Sequence, residues 1–165
     1  MTAPRLTVAY AAALWALIFA AFHVIWAFGW YIGLDAEDAR IAFARPFTLA
    51  YDLVVAGMCV VAVFVVLALV RPWGRRVPFR VLRFVIWIGT GLLVLRAGGS
   101  VIQAASFLMA GRFSFEDMGI WEPWFYLGAI LFSVTTWQYA TGGVLRADDL
   151  RGNAVESRPL CPPCF

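Results

Sequence analysis

Two ionisable side chains stand out because of the company they keep. His23 is the one histidine of the chain, inside a run from Leu6 to Leu34 that holds no charged residue. Arg96 stands in a stretch from Phe84 to Ala110 with no other charge. An arginine at the centre of a bilayer costs from about 2.5 to over 10 kcal/mol, so it is expected to face a protein interior and find a partner. Backbone carbonyls, Asp52, an acid of an outer loop or an exogenous anion are the candidates. A guanidinium there suits an anionic or strongly polar head group. A histidine beside it is favoured in its neutral form, because a second positive charge is repelled. It still donates or accepts a hydrogen bond.

Helical periodicity places these residues on faces. At 100° per residue, Val85, Gly89, Leu92, Arg96, Gly99, Ser100 and Gln103 form one stripe. Its inner half is apolar and its outer half small or polar. Ala12, Ala16, Phe19, His23, Trp26 and Trp30 form a matching face on the first helix. With Leu34 as its outer end, His23 lies roughly 16 Å deep at ~1.5 Å per residue. Arg96 lies about 21 Å from its own outer end. Its side chain can snorkel outward to the level of the imidazole. Asp52 is expected higher, at the outer boundary. The predicted site is an outward-facing cavity lined by His23, Trp26, Trp30, Arg96, Ser100 and Gln103. The loop Phe113–Trp124, with Asp117 and Trp121, caps it.

The elements that must hold these residues are apolar helices. The 165 residues are 63% hydrophobic and 14% charged, with a mean hydropathy of +0.82. A soluble domain is about half apolar. A span needs roughly 20 apolar residues. Four stretches qualify, at about 6–34, 49–70, 84–110 and 124–145. The first is too long for the core of a signal peptide. All 13 basic residues are arginine, and nine fall near the N-terminus, in the loop between the second and third spans, and in the tail. Three, Arg40, Arg45 and Arg112, fall on the other side. The positive-inside rule then puts both termini in the cytoplasm. It also explains a pI near 9.0 without nucleic acid. Short connections make neighbouring helices antiparallel. The expected fold is all-α, a four-helix transmembrane bundle running up-down-up-down over residues 1–145. The tail, 146–165, is read as disordered.

FHVIWAFGW (Phe22–Trp30), LRAGGS (Leu95–Ser100) and FEDMGIWEPWF (Phe115–Phe125) together resemble the domain of unknown function 3995 family. These are small bacterial four-helix membrane proteins of uncharacterised activity. The resemblance covers most of residues 10–145. It implies a His-x-x-Trp pair in the first span, here His23 and Trp26, and an arginine in the third, Arg96. It also implies a loop before the fourth span with Asp117, Trp121 and Pro123.

The chain closes on SRPLCPPCF. Cys161 and Cys164 have the spacing of a redox or metal pair. No helix follows to acidify a thiol, two thiolates fall short of a four-ligand zinc site, and two prolines hold the cysteines apart. They are weak metal candidates, and no cofactor is expected. The favoured role is binding an anionic or polar-headed small molecule or lipid around Arg96 and His23 in the bacterial inner membrane. Its rivals are an enzyme acting on a lipid or isoprenoid, with His23 as acid/base and Arg96 as stabiliser, and an accessory subunit of a larger membrane complex. Besides the bilayer, the sequence names no partner and no oligomeric state.

Overall fold

The computed structural model describes residues 3–111 and 121–156. Among them the regular structure is entirely helical. There are five α-helices, α1 (Ala3–Ala27), α2 (Ala36–Phe43), α3 (Pro46–Val70), α4 (Phe79–Met109) and α5 (Trp121–Glu156), and a 3-10 turn at Pro72–Arg76. Three stretches, Arg5–Ala27, Pro46–Val70 and Phe79–Met109, are long and apolar enough to cross a membrane. The helix α5 covers the fourth expected span and continues to Glu156, past the expected end at Leu145.

Local chemistry sets the ends. The first apolar run was expected to stay helical to Leu34, but α1 stops at Ala27. Gly29 and Gly33 follow with φ of 87° and 78°, a left-handed backbone that side chains with a Cβ rarely adopt. Asp35 then caps α2, accepting from the backbone N–H groups of Glu37 and Asp38 at 3.0 Å each. This is the usual work of an N-cap carboxylate. Pro46 opens α3 from its first turn, where the missing N–H costs nothing. Beyond α4, Gly111 turns left-handed at φ 65°, a common way to stop a helix.

The helix α1 packs against α3 and α5. In turn α4 packs chiefly on α5 and more sparingly on α3, while α2 rests on α3. The contact face of α1 is a run of small residues, with Ala9, Ala12 and Ala16 at 0% exposure. Small residues let neighbouring backbones approach closely, the main device for packing helices in lipid. Trp15, Phe19, Val66 and Phe132 complete the core. The Trp15 indole N–H donates to the Trp124 carbonyl at 3.0 Å, joining α1 to α5. Gly128 makes room for that ring, since a Cβ there would lie 2.3 Å from it. A buried pair of hydroxyls, Thr90 and Thr136 at 2.7 Å, joins α4 to α5.

The predicted face of α1 is the buried one, except that Trp30 lies past the helix end and is exposed. The predicted stripe of α4 is not. The buried line of α4 runs through Leu82, Ile86, Thr90, Ala97 and Ser100. Leu92, Arg96, Gly99 and Gln103 are exposed, and only Ser100 belongs to both lines. The correction amounts to about one residue of rotation, ~100°. Its cause is that α4 is apolar all round, so periodicity alone favours no side.

Candidate functional site

His23 stands four residues before the end of α1, about 6 Å by helical rise, and Asp52 six residues into α3. The early stop of α1 therefore brings the two to one level. Asp52 does not sit above His23 as expected. The imidazole Nδ1 and the Asp52 Oδ1 are 2.5 Å apart. Their side chains keep only 9% and 4% exposure. The second polar atom of each, His23 Nε2 and Asp52 Oδ2, is buried without a protein partner.

Aromatic rings enclose this pair. Phe19 and Trp26 meet the imidazole edge-on, with centroids 4.5 and 4.9 Å away. Trp121, from the first turn of α5, meets Trp26 at 4.9 Å and Phe22 at 5.0 Å. Both indoles are pinned to the turn that ends α1. Trp26 donates to the Ile32 carbonyl at 3.0 Å and Trp121 to the Gly33 carbonyl at 2.8 Å.

Arg96 belongs to a second pair. Its guanidinium donates to Glu122 through Nη2 at 2.9 Å and Nη1 at 3.4 Å. It also donates to the Ser100 hydroxyl and lies over the Phe125 ring at 4.3 Å from the centroid. The Arg96 side chain is 46% exposed and that of Glu122 21%. The helix α5 thus opens at the level of Arg96. From there α4 runs on for thirteen residues, about 20 Å. Val101, Ile102, Leu108 and Met109 in that extension are exposed.

The two pairs meet through rings. Phe19, against His23, packs on Phe125 at 5.2 Å, and Phe125 carries Arg96. Of the predicted site residues, His23, Trp26 and Trp121 come together, and Arg96 and Ser100 form a neighbouring cluster. Trp30 is 69% exposed and Gln103 is exposed on α4, so neither lines the His23 pair. Asp117, Cys161 and Cys164 lie outside the described residues.

The sequence reading did not assign Asp52 and Glu122 to the site. Asp52 had a signal, being the one carboxylate inside the predicted spans. Glu122 lies in the loop Phe113–Trp124, and an acid of an outer loop was among the candidate partners for Arg96. Among the described residues no group of three His, Cys, Asp or Glu side chains is placed to hold a metal ion. Cys59 on α3 is a free thiol.

Apolar helices of this length and hydropathy make the chain a helical membrane protein. It belongs to the family described as protein of unknown function (DUF3995), whose model matches residues 16–132. His23, Asp52, Arg96 and Glu122 all fall inside that segment. No curated protein and no solved structure matches the chain.

Proposed function

We propose that this is a four-span protein of the bacterial inner membrane that binds a polar-headed small molecule or lipid. The helix α5 serves as the fourth span of an up-down-up-down bundle with both termini in the cytoplasm. The observation that carries the binding role is the enclosed His23–Asp52 pair, which leaves Nε2 and Oδ2 without protein partners. A buried polar atom left unmatched costs about 1–3 kcal/mol, a cost that a hydrogen-bonding head group reaching either atom would offset. Trp26, Phe22 and Trp121 beside the pair suit the apolar part of an amphiphile. The face with Arg96 and Glu122 lies one ring further on and serves as the polar rim.

Native mass spectrometry of the protein purified in mild detergent tests this reading. Wild type is expected to carry a stoichiometric amphiphile that a His23→Leu/Asp52→Leu variant lacks. Equal retention by both proteins sinks the assignment of the site. Orientation is tested separately, in a background without native cysteines. A cysteine placed at Arg76 is expected to resist membrane-impermeant reagents added from outside, and labelling there would reverse the topology.

A second reading has one observation in its favour. A carboxylate on Nδ1 orients an imidazole and leaves Nε2 to exchange a proton, the arrangement of a general acid/base. An enzyme acting on a lipid is therefore the alternative to pure binding.

A further inference from the structure

The end of the molecule where α1 begins and α3 stops carries more positive charge than it can match. Arg5 lies in the first turn of α1, and Arg71, Arg75, Arg76, Arg80 and Arg83 lie between the end of α3 and the first turns of α4. Neither segment contains an acid. The last turns of α5 add Arg146 and Arg151 but only the acids Asp148, Asp149 and Glu156, so an excess of five arginines remains. Among the described residues the acid–base pairs are His23–Asp52 and Arg96–Glu122, and neither involves these arginines. The positive-inside rule accounts for their number. It demands no particular contact from any one of them.

Arg71 makes such a contact. It follows α3 in an extended conformation, φ −97° and ψ 150°. Its guanidinium carbon lies 5.7 Å from the centroid of the Tyr10 ring on α1. The turn behind it is fixed. Gly74 folds so closely onto α3 that a Cβ there would lie 1.7 Å from the Ala68 carbonyl oxygen, and its N–H donates to the Arg71 carbonyl at 3.2 Å. Arg71 stays exposed. Among the described residues its guanidinium has no hydrogen-bond acceptor. A guanidinium held in place with its N–H groups free suits a phosphate, which it can grip with two parallel bonds. Arg5 and Tyr10 both lie within electrostatic reach of Tyr139 on α5, so Arg5 adds its charge to the same neighbourhood.

Past Tyr10, away from the arginines, the same side of α1 is apolar and uncovered. Leu14, Leu17 and Ala21 follow Tyr10 at helical spacing and are exposed. From Tyr10 to Ala21 the rise is about 16 Å, close to half of a hydrocarbon core ~30 Å thick. A cation above an apolar lane one leaflet deep matches a phospholipid, with the phosphate at Arg71 and an acyl chain along the lane. The surplus of arginines selects an anionic lipid, since it repels the ammonium of a zwitterionic one.

We propose that Arg71 and Tyr10, with the lane of Leu14, Leu17 and Ala21, form a binding site for one anionic phospholipid, Arg71 donating to its phosphate. The site is separate from the His23–Asp52 pair, and neither assignment rests on the other.

The full-length protein in mild detergent is titrated with phosphatidylglycerol, with phosphatidylcholine of the same chains, and with soluble glycerophosphoglycerol. Native mass spectrometry resolves each bound copy. Wild type is expected to bind its first phosphatidylglycerol more tightly than phosphatidylcholine and to retain no glycerophosphoglycerol. Arg71→Gln is expected to weaken that first step about tenfold, the loss of a charge-assisted hydrogen bond. Arg71→Lys is expected to weaken it less, because the charge remains and only the planar fork is lost. Arg83→Gln removes the same charge from α4, acts only through a screened field, and is expected to cost clearly less than Arg71→Gln. Equal affinity of the wild type for the two lipids overturns the proposal. Equal losses in the Arg71 and Arg83 glutamine variants overturn it too, since they show a diffuse attraction in place of a site. Glycerophosphoglycerol binding as tightly as the lipid makes the ligand a free phosphodiester and overturns the lipid assignment. The wild-type arms do not depend on any variant, so a variant that fails to fold leaves them able to refute the site.

Discussion

The helix pair α1–α3 and the helix pair α4–α5 each hold one acid and one base, yet they hold them differently. His23 and Asp52 meet inside the protein, with side chains under a tenth exposed. Arg96 and Glu122 meet at a face, with Arg96 46% exposed. Phe19 and Trp26 of α1 meet the imidazole of the first pair, and Trp121 of α5 packs on Trp26 behind it. The second has one ring, Phe125, beneath it and open surface beside it. The same bond type therefore does different work. A buried pair is expensive to break, because the surviving partner has no water to return to. Breaking the half-exposed pair strands its arginine less, because Arg96 keeps its bond to Ser100 and its place over the Phe125 ring.

The largest expected effect follows from that contrast. Asp52→Ala leaves His23 enclosed without its carboxylate and is expected to lower stability by roughly 3 kcal/mol. Glu122→Ala leaves Arg96 its bond to Ser100 and the Phe125 ring and is expected to cost less than Asp52→Ala. Unfolding in mixed micelles by a denaturing detergent measures both. Equal losses would erase the distinction between the two pairs.

Next in size is the joint between the two halves. Gly128→Ala sets a methyl group where the Trp15 ring now lies. Overpacking of this kind costs typically about 1–3 kcal/mol. The expected result is a lower Tm with a changed tryptophan emission. An unchanged Tm would mean that α1 and α5 can separate freely.

Smaller still is the hydroxyl pair of α4 and α5. Thr90→Val is expected to cost about 1 kcal/mol, as hydrogen bonds between helices in membranes usually do. A loss as large as that of Asp52→Ala would move the polar anchor of the fold to this side.

How much of this was legible depends on the helix. On α1, small and aromatic residues alternate with bulky aliphatic ones at helical spacing, so the buried face through Ala12, Ala16, Phe19, His23 and Trp26 could be read directly. On α4, apolar residues surround the axis. The choice between Leu92–Arg96 and Thr90–Ala97 as the inner line then has no local signal. Arg96 was expected inside for its charge, and it lies at the face because Glu122 meets it there.

The sequence by itself determined the apolar helical segments, the likeness to a family, and which few ionisable residues had to find partners. Lipid tolerates long apolar runs and penalises lone charges, and both facts are written in composition. Tertiary structure alone decided the pairing. Gly29 and Gly33 end α1 early and bring His23 level with Asp52. The rotation of α4 against α5 turns Arg96 toward Glu122. Partner choice depends on relative depth and rotation of helices, and these are set by packing across the whole bundle, which no single segment encodes.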